Sequence, residues 1–196
     1  MGRRMETQMF IQTEATPNPA TQKFLPGKVV MENGTAEFRS AAEAEASPLA
    51  ARLFEIPGVT GVYFGYDFIS VSKDDAEWQH LKPAILGSIM EHFMSGKPVM
   101  GDASILSEDV DAGDEFFDEG DESIVLTIKE LLETRVRPAV AQDGGDITFR
   151  GFKDGKVYLN MKGSCAGCPS STATLKHGVQ NLLRHFVPEV QEVIAA

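Results

Sequence analysis

Cysteine is nearly absent from this 196-residue chain, which has only Cys165 and Cys168. So few thiols exclude a disulfide framework and point to a reducing compartment. Long apolar runs are missing as well. No stretch approaches the roughly 18 residues needed to span a bilayer, so no membrane embedding is expected. The basic opening Met1-Gly2-Arg3-Arg4-Met5 has no apolar segment behind it to make a secretory signal, and a mitochondrial leader would be longer and poor in acidic residues. A Gly-rich phosphate loop is also lacking, which leaves a nucleotide site unsupported.

Positive charge is in short supply, with 18 Lys and Arg against 29 Asp and Glu and a formal net charge of -11. The excess is local. Residues 101 to 122 hold ten carboxylates and no Lys or Arg, and outside that stretch 19 acids face 18 bases. The remainder is thus nearly neutral, and no basic stripe invites nucleic acid. Self-repelling charge makes 101–122 a linker, which as a flexible coil would span about 25 Å. Within it, the pairs Ile105-Leu106 and Phe116-Phe117 are expected to dock on a neighbouring domain, with a partner-binding motif as the sharper alternative.

Hydrophobic patterning and turn residues place elements on both sides of that linker. Before it, Met9 to Thr13 and a segment near Lys28 to Met31 read as short strands, separated by the turns Thr16-Pro17-Asn18-Pro19 and Phe24-Leu25-Pro26-Gly27. Ser47-Pro48 reads as a helix start. Val59 to Phe64 and Asp67 to Lys73 read as a hairpin, and Trp78, Leu81, Ile85, Ile89 and Phe93 as a helix stopped by Gly96. Pro83 suggests a kinked or separate first turn. His80 and His92 have no ligand partners at useful spacing and read as surface or packing residues.

After the linker, Ile124, Ile128, Leu131 and Leu132 form a helical stripe, with Pro138 kinking or ending the helix. Asp143-Gly144-Gly145-Asp146 reads as a turn that sets strand register. Ile147 and Phe149 then alternate as a strand, Lys153-Asp154-Gly155-Lys156 turns the chain back, and Val157, Leu159 and Met161 share one face. Leu175, Val179, Leu182, Leu183 and Phe186 mark a buried helix face, and Val190 to Ile194 a third strand. The expected fold class is α+β, two small α/β domains joined by the acidic linker. A leader covers 1–8, the N-terminal domain 9–100, the linker 101–122, and the C-terminal domain 123–196 in the order α-β-β-α-β.

The chemistry concentrates in Gly163-Ser164-Cys165-Ala166-Gly167-Cys168-Pro169-Ser170-Ser171-Thr172, between a strand and a helix N-terminus. That position is expected to lower a thiol pKa toward neutrality through the helix dipole, with Lys162 and Lys176 nearby. Gly163 and Gly167 permit tight curvature, Pro169 suits a first helical turn, and Ser170, Ser171 and Thr172 offer caps. Three chemistries use such a pair. Thiol-disulfide exchange is one, although no aromatic precedes Cys165 and the element order lacks a βαβ start. A zinc module is another, but it needs two more ligands, and His177 and His185 are eight residues apart on a helix, off a common face. The third is an iron-sulfur cluster bridging two chains, each supplying two of four thiolates.

The wider pattern of Arg137-Pro138, Asp143-Gly144-Gly145-Asp146 and the cysteine segment closely resembles the Nfu family, whose domain corresponds to the C-terminal part of NifU scaffold proteins. Thr16-Pro17-Asn18-Pro19, Phe24-Leu25-Pro26-Gly27 and Trp78 resemble the domain that precedes it in mitochondrial and alphaproteobacterial members. The two resemblances cover the chain from about residue 9 onward. They imply a scaffold or carrier without turnover of its own, which holds a 4Fe-4S cluster on Cys165 and Cys168 of a homodimer. Such a carrier takes its cluster from an upstream scaffold or donor and passes it to apo iron-sulfur proteins, aconitase-like and lipoyl-synthesis proteins among them. The short leader favours bacterial cytoplasm, with the mitochondrial matrix as the eukaryotic counterpart.

Overall fold

The computed structural model describes residues 10–101, 115–166 and 169–195; for Pro169, Ser170 and Ser171 it describes the backbone only. The fold is α+β and contains two sheets, each with its own hydrophobic cluster.

The first sheet has five antiparallel strands in the order β1-β2-β5-β4-β3. These are β1 (Gln12–Ala15), β2 (Thr21–Leu25), β3 (Ala36–Phe38), β4 (Val59–Phe64) and β5 (Ile69–Lys73). The β4–β5 hairpin falls where turn chemistry placed it. The expected strand near Lys28 to Met31 does not form. Val30 and Met31 are buried apolar side chains in a loop, and both amides donate to the Tyr66 carbonyl, at 2.7 and 3.2 Å.

Helices α1 (Ala41–Ala44), α2 (Pro48–Phe54) and α3 (Trp78–Ser95) accompany this sheet. Ser47 caps α2 by accepting from the Ala50 amide, and Pro48 opens its first turn, where a missing N–H costs nothing. Leu49 and Leu53 are fully buried, each worth about 1.5–3 kcal/mol of apolar burial. Leu81, Ile85 and Ile89 form the inner stripe of α3, and Gly96 ends it at φ 70°. Pro83 lies inside α3, which runs unbroken from Trp78. His92 is a buried packing residue whose pKa is lowered chiefly by burial, and His80 is exposed.

The second unit follows the order read from the sequence. Helix α4 (Glu122–Leu131) continues through a π stretch over Leu132–Val136 into α5 (Arg137–Gln142), so Pro138 sits in the first turn of a new helix. Strands β6 (Gly145–Lys153) and β7 (Lys156–Gly163) form the hairpin; both Asp154 and Gly155 have positive φ, as a tight Asp-Gly turn requires. Helix α6 (Pro169–Phe186) then returns the chain, and β8 (Glu192–Ala195) adds parallel to β7. Val179 and Leu183 of α6 are buried with Ile128, Ile147 and Leu159. Phe186, expected on that face, is 45% exposed and has Arg135 stacked on its ring.

Ile105 and Leu106 lie outside the described residues. Phe116 forms a parallel bridge with Gly151 at the edge of β6, and its ring packs on Tyr158 at 5.0 Å between centroids. Residues 115 to 122, read as linker, are therefore ordered against the second unit. No helix among the described residues is long and apolar enough to cross a membrane.

Candidate metal centre

Strand β7 ends at Gly163, and the chain turns through Ser164, Cys165 and Ala166 before α6 opens at Pro169. Cys168 lies outside the described residues. Gly163 makes the turn at φ 64°, a conformation that other residues adopt only under strain. The turn closes with the Ala166 amide donating to the Gly163 carbonyl at 3.1 Å. Ser164 ties the loop to the end of α5: its amide donates to the Gly144 carbonyl at 3.2 Å and its hydroxyl to the Asp143 carbonyl at 2.5 Å. Thr172 donates to the Cys165 carbonyl at 3.1 Å, joining the loop to the first turn of α6. It therefore holds the cysteine backbone, a different role from the capping expected of it.

Asp143-Gly144-Gly145-Asp146 is the turn the sequence indicated, with Gly144 at φ 80° and β6 starting at Gly145. It also packs directly on the thiol. A Cβ built on Gly145 would lie 2.6 Å from Cys165 Sγ, so glycine is what lets the sulfur rest against this backbone. Asp146 is buried; its carboxylate takes two hydrogen bonds from Arg137, at 2.8 and 2.9 Å, and one from the Ile147 amide at 2.8 Å. Arg137 also pairs with Glu133, and these carboxylates raise its pKa further. The Asp146 charge acts across to Tyr63 of β4, whose phenol is pushed up first by burial and then by that charge.

Cys165 is only 6% exposed. Burial pushes its thiol up to about 11, the Asp143 and Asp146 charges add to the rise, and the Ser164 hydrogen bond opposes it. The sequence suggested the reverse, a thiol lowered by the helix start. In this arrangement the loss of water around the sulfur is the largest cause of the direction. Lys176 does not reach the thiol to help, as it pairs with Glu192 at 3.6 Å.

Side chains from the first sheet, which sequence reasoning did not connect to the site, surround the loop. Glu37 of β3 accepts from the Gly163 amide at 3.0 Å, and Asn18 donates to the Ala166 carbonyl at 3.4 Å. Asn18 comes from the Thr16-Pro17-Asn18-Pro19 motif, the one signal that could have found it. Two cavities open beside Cys165. One of about 450 Å³ is walled by Glu37, Tyr63, Met161 and Gly163. The other, about 370 Å³, is walled by Pro17, Val140, Asp143 and Leu175. His177 and His185 are both exposed. Among the described residues, no group of three or more His, Cys, Asp or Glu side chains converges as a metal site.

Known proteins match both halves of the chain. The family model described as the scaffold protein Nfu/NifU N terminal matches residues 11–96, and the NifU-like domain model matches residues 128–194. A human protein named NFU1 iron-sulfur cluster scaffold homolog, mitochondrial, is 50% identical over 187 residues, covering 94% of this chain and 71% of that protein. Proteins of the same name from Drosophila sechellia and Drosophila virilis are 50% and 48% identical, covering 94% and 98% of this chain. The chain spans 64% and 63% of those two fly proteins. With one model matching the first sheet and the other the cysteine-bearing unit, the chain belongs to the Nfu/NifU family.

Proposed function

We propose that the chain is an iron-sulfur cluster scaffold and carrier whose cargo is a 4Fe-4S cluster held by Cys165 and Cys168 of two chains. The observation that carries this reading is a ligand count at a built site. Cys165 lies on a tightly determined loop between β7 and α6, and with one other cysteine the chain supplies two of the four thiolates a cluster needs. A second copy of the chain supplies the missing pair in a homodimer. The names of the relatives support the iron-sulfur assignment, and their mitochondrial designation supports the matrix among the two compartments read from the sequence.

Carrying a cluster is ligand exchange: each iron–thiolate bond to the carrier breaks as one to the recipient forms, with no change of oxidation state and no turnover of the chain's own. Recipient thiolates replace Cys165 and Cys168 on iron, and an upstream scaffold or donor loads the site by the same exchange in reverse. The recipients are apo iron-sulfur proteins. Thiol-disulfide catalysis with Cys165 as the attacking group is disfavoured by its burial, because an attacking sulfur must be accessible.

Anaerobic reconstitution of the full chain is expected to give a brown dimer with about one 4Fe-4S cluster per two chains. Incubation with an apo-aconitase-type enzyme should then restore that enzyme's activity while the brown colour leaves the carrier. A protein that stays colourless, or a Cys165→Ala variant that keeps its cluster, would overturn the assignment. Zinc in place of iron in the isolated protein would do the same.

A further inference from the structure

Among the described residues, hydrogen bonds of Asn18, Lys23, Glu37 and Ser70 of the first sheet and its loops cross to backbone of the second unit around Cys165. Besides Asn18 to Ala166 and Gly163 to Glu37, Ser70 donates to the Gly144 carbonyl at 2.6 Å, and Lys23 donates to the Gln142 carbonyl at 3.1 Å. Asn18, Lys23 and Ser70 are buried polar residues of a kind seldom found inside a domain. Each is satisfied by the cysteine-bearing unit or by its neighbours. Lys23 also lies over the Phe68 ring at 4.8 Å and 3.7 Å from Glu14. Trp78 donates to the Pro19 carbonyl at 3.0 Å, anchoring to α3 the loop that presents Asn18. The contact closes around the turn: a Cβ on Gly144 would meet Ser70 Oγ at 2.8 Å, and one on Gly163 would meet the Tyr63 ring at 3.2 Å.

We infer that this face of the first sheet, formed by Asn18, Lys23, Glu37, Tyr63 and Ser70, is a docking surface for the chain's own cysteine loop. It closes the metal-free protein and competes with the second copy that completes the cluster site. The inference rests on the two-chain reading given above. In the docked form Cys165 is 6% exposed, with Glu37, Tyr63 and Pro17 walling the cavities beside it, and a sulfur ligating a shared cluster must face the other chain. Glu37 occupies the Gly163 amide, a donor two residues from the thiol that suits the sulfur atoms of a bound cluster. Loading therefore requires the face to let go, and release of the cluster lets it dock again. Polar contacts suit such an exchange, because hydrogen bonds traded for water on opening cost little net free energy.

Thiol labelling of the metal-free full chain tests the docking without reference to any cluster. With Cys168→Ser as background, Cys165 is the sole thiol, and its reaction with a maleimide reports how often the loop is uncovered. Asn18→Ala combined with Glu37→Ala should label about tenfold faster than the background protein. Ser70→Ala, which loses one hydroxyl and keeps the buried strand, should accelerate labelling as well and serves as the second variant should circular dichroism show the double variant unfolded. Equal rates in a folded variant overturn the docking surface. With native cysteines, the same substitutions should speed anaerobic cluster loading and leave its stoichiometry unchanged. Faster labelling with unchanged loading would overturn the competition. Absence of loading in every protein would overturn the cluster reading, and the labelling rates would still decide the docking.

Discussion

A methyl group on Gly145 would lie 2.6 Å from Cys165 Sγ, 2.9 Å from the Lys162 carbonyl and 3.1 Å from the Cys165 amide. The sulfur could rotate away, but the two backbone atoms belong to the β6–β7 ladder and its outgoing turn and have no such freedom. Gly145→Ala is therefore expected to push β6 and the cysteine loop apart and to cost about 2–3 kcal/mol, read as a lower urea midpoint of the metal-free protein. A midpoint unchanged within error would mean that the loop yields easily, and that its close packing on β6 is not what fixes Cys165. The sequence made Asp143 to Asp146 legible as a turn, because Asp and Gly at those positions have a local conformational reason to be there. The second role of Gly145, leaving room for a sulfur twenty residues on, depends on contact between distant segments and has no local pattern. The direction of the Cys165 pKa was misread for the same reason: helix position is visible in sequence, whereas burial by the surrounding fold is not.

Among the elements, the hairpins and the longer helices were legible and β2 and β3 were not. In β6 and β7, polar and apolar residues alternate because one face meets the core formed with α4 and α6. Thr21–Leu25 breaks that rule, since Thr21, Gln22 and Lys23 are all buried, Thr21 against Ser72 and Lys23 against the Gln142 carbonyl and the Phe68 ring. Polar residues on a covered sheet face look like a loop until the cover is known. The segment from Glu115 to Asp118 shows the converse. Its charge reads as linker, yet Phe116 exchanges backbone hydrogen bonds with β6, its amide to the Arg150 carbonyl at 3.2 Å and its carbonyl from the Phe152 amide at 2.9 Å. Glu115 pairs with Lys129 of α4. The Phe116 ring fills the place a side chain would take at Gly151. Because the ring is 39% exposed, Phe116→Ala should cost less than a full core truncation, about 1–2 kcal/mol. The loss should appear in thermal melts and as faster amide exchange at Phe152. No change in either would show that the linker end contributes nothing to the second unit.

At the scale of the whole molecule, the two hydrophobic clusters share no residue: Leu49, Leu53, Ile85 and Ile89 belong to one, Ile128, Ile147, Leu159 and Leu183 to the other. What joins the units around the cysteine loop is largely polar, and hydrogen bonds of this kind contribute roughly 1 kcal/mol each in net terms. Two domains were legible in the sequence because the acidic run separates two sets of apolar periodicities. Their mutual contact was not, since it rests on single polar residues scattered from Asn18 to Ser70. Independent cores joined by a polar contact should unfold as two cooperative units, coupled by no more than that contact supplies. Calorimetry of the metal-free full chain is accordingly expected to resolve two transitions. Leu183→Ala, a truncation at a fully buried position of α6, should lower the transition of the second unit by the equivalent of about 2–4 kcal/mol. The transition of the first unit should move by far less, because its own core is untouched and it loses at most the docked partner. Were both transitions to fall together, the chain would be one cooperative body, and the cysteine loop could not be uncovered without unfolding the sheet that covers it.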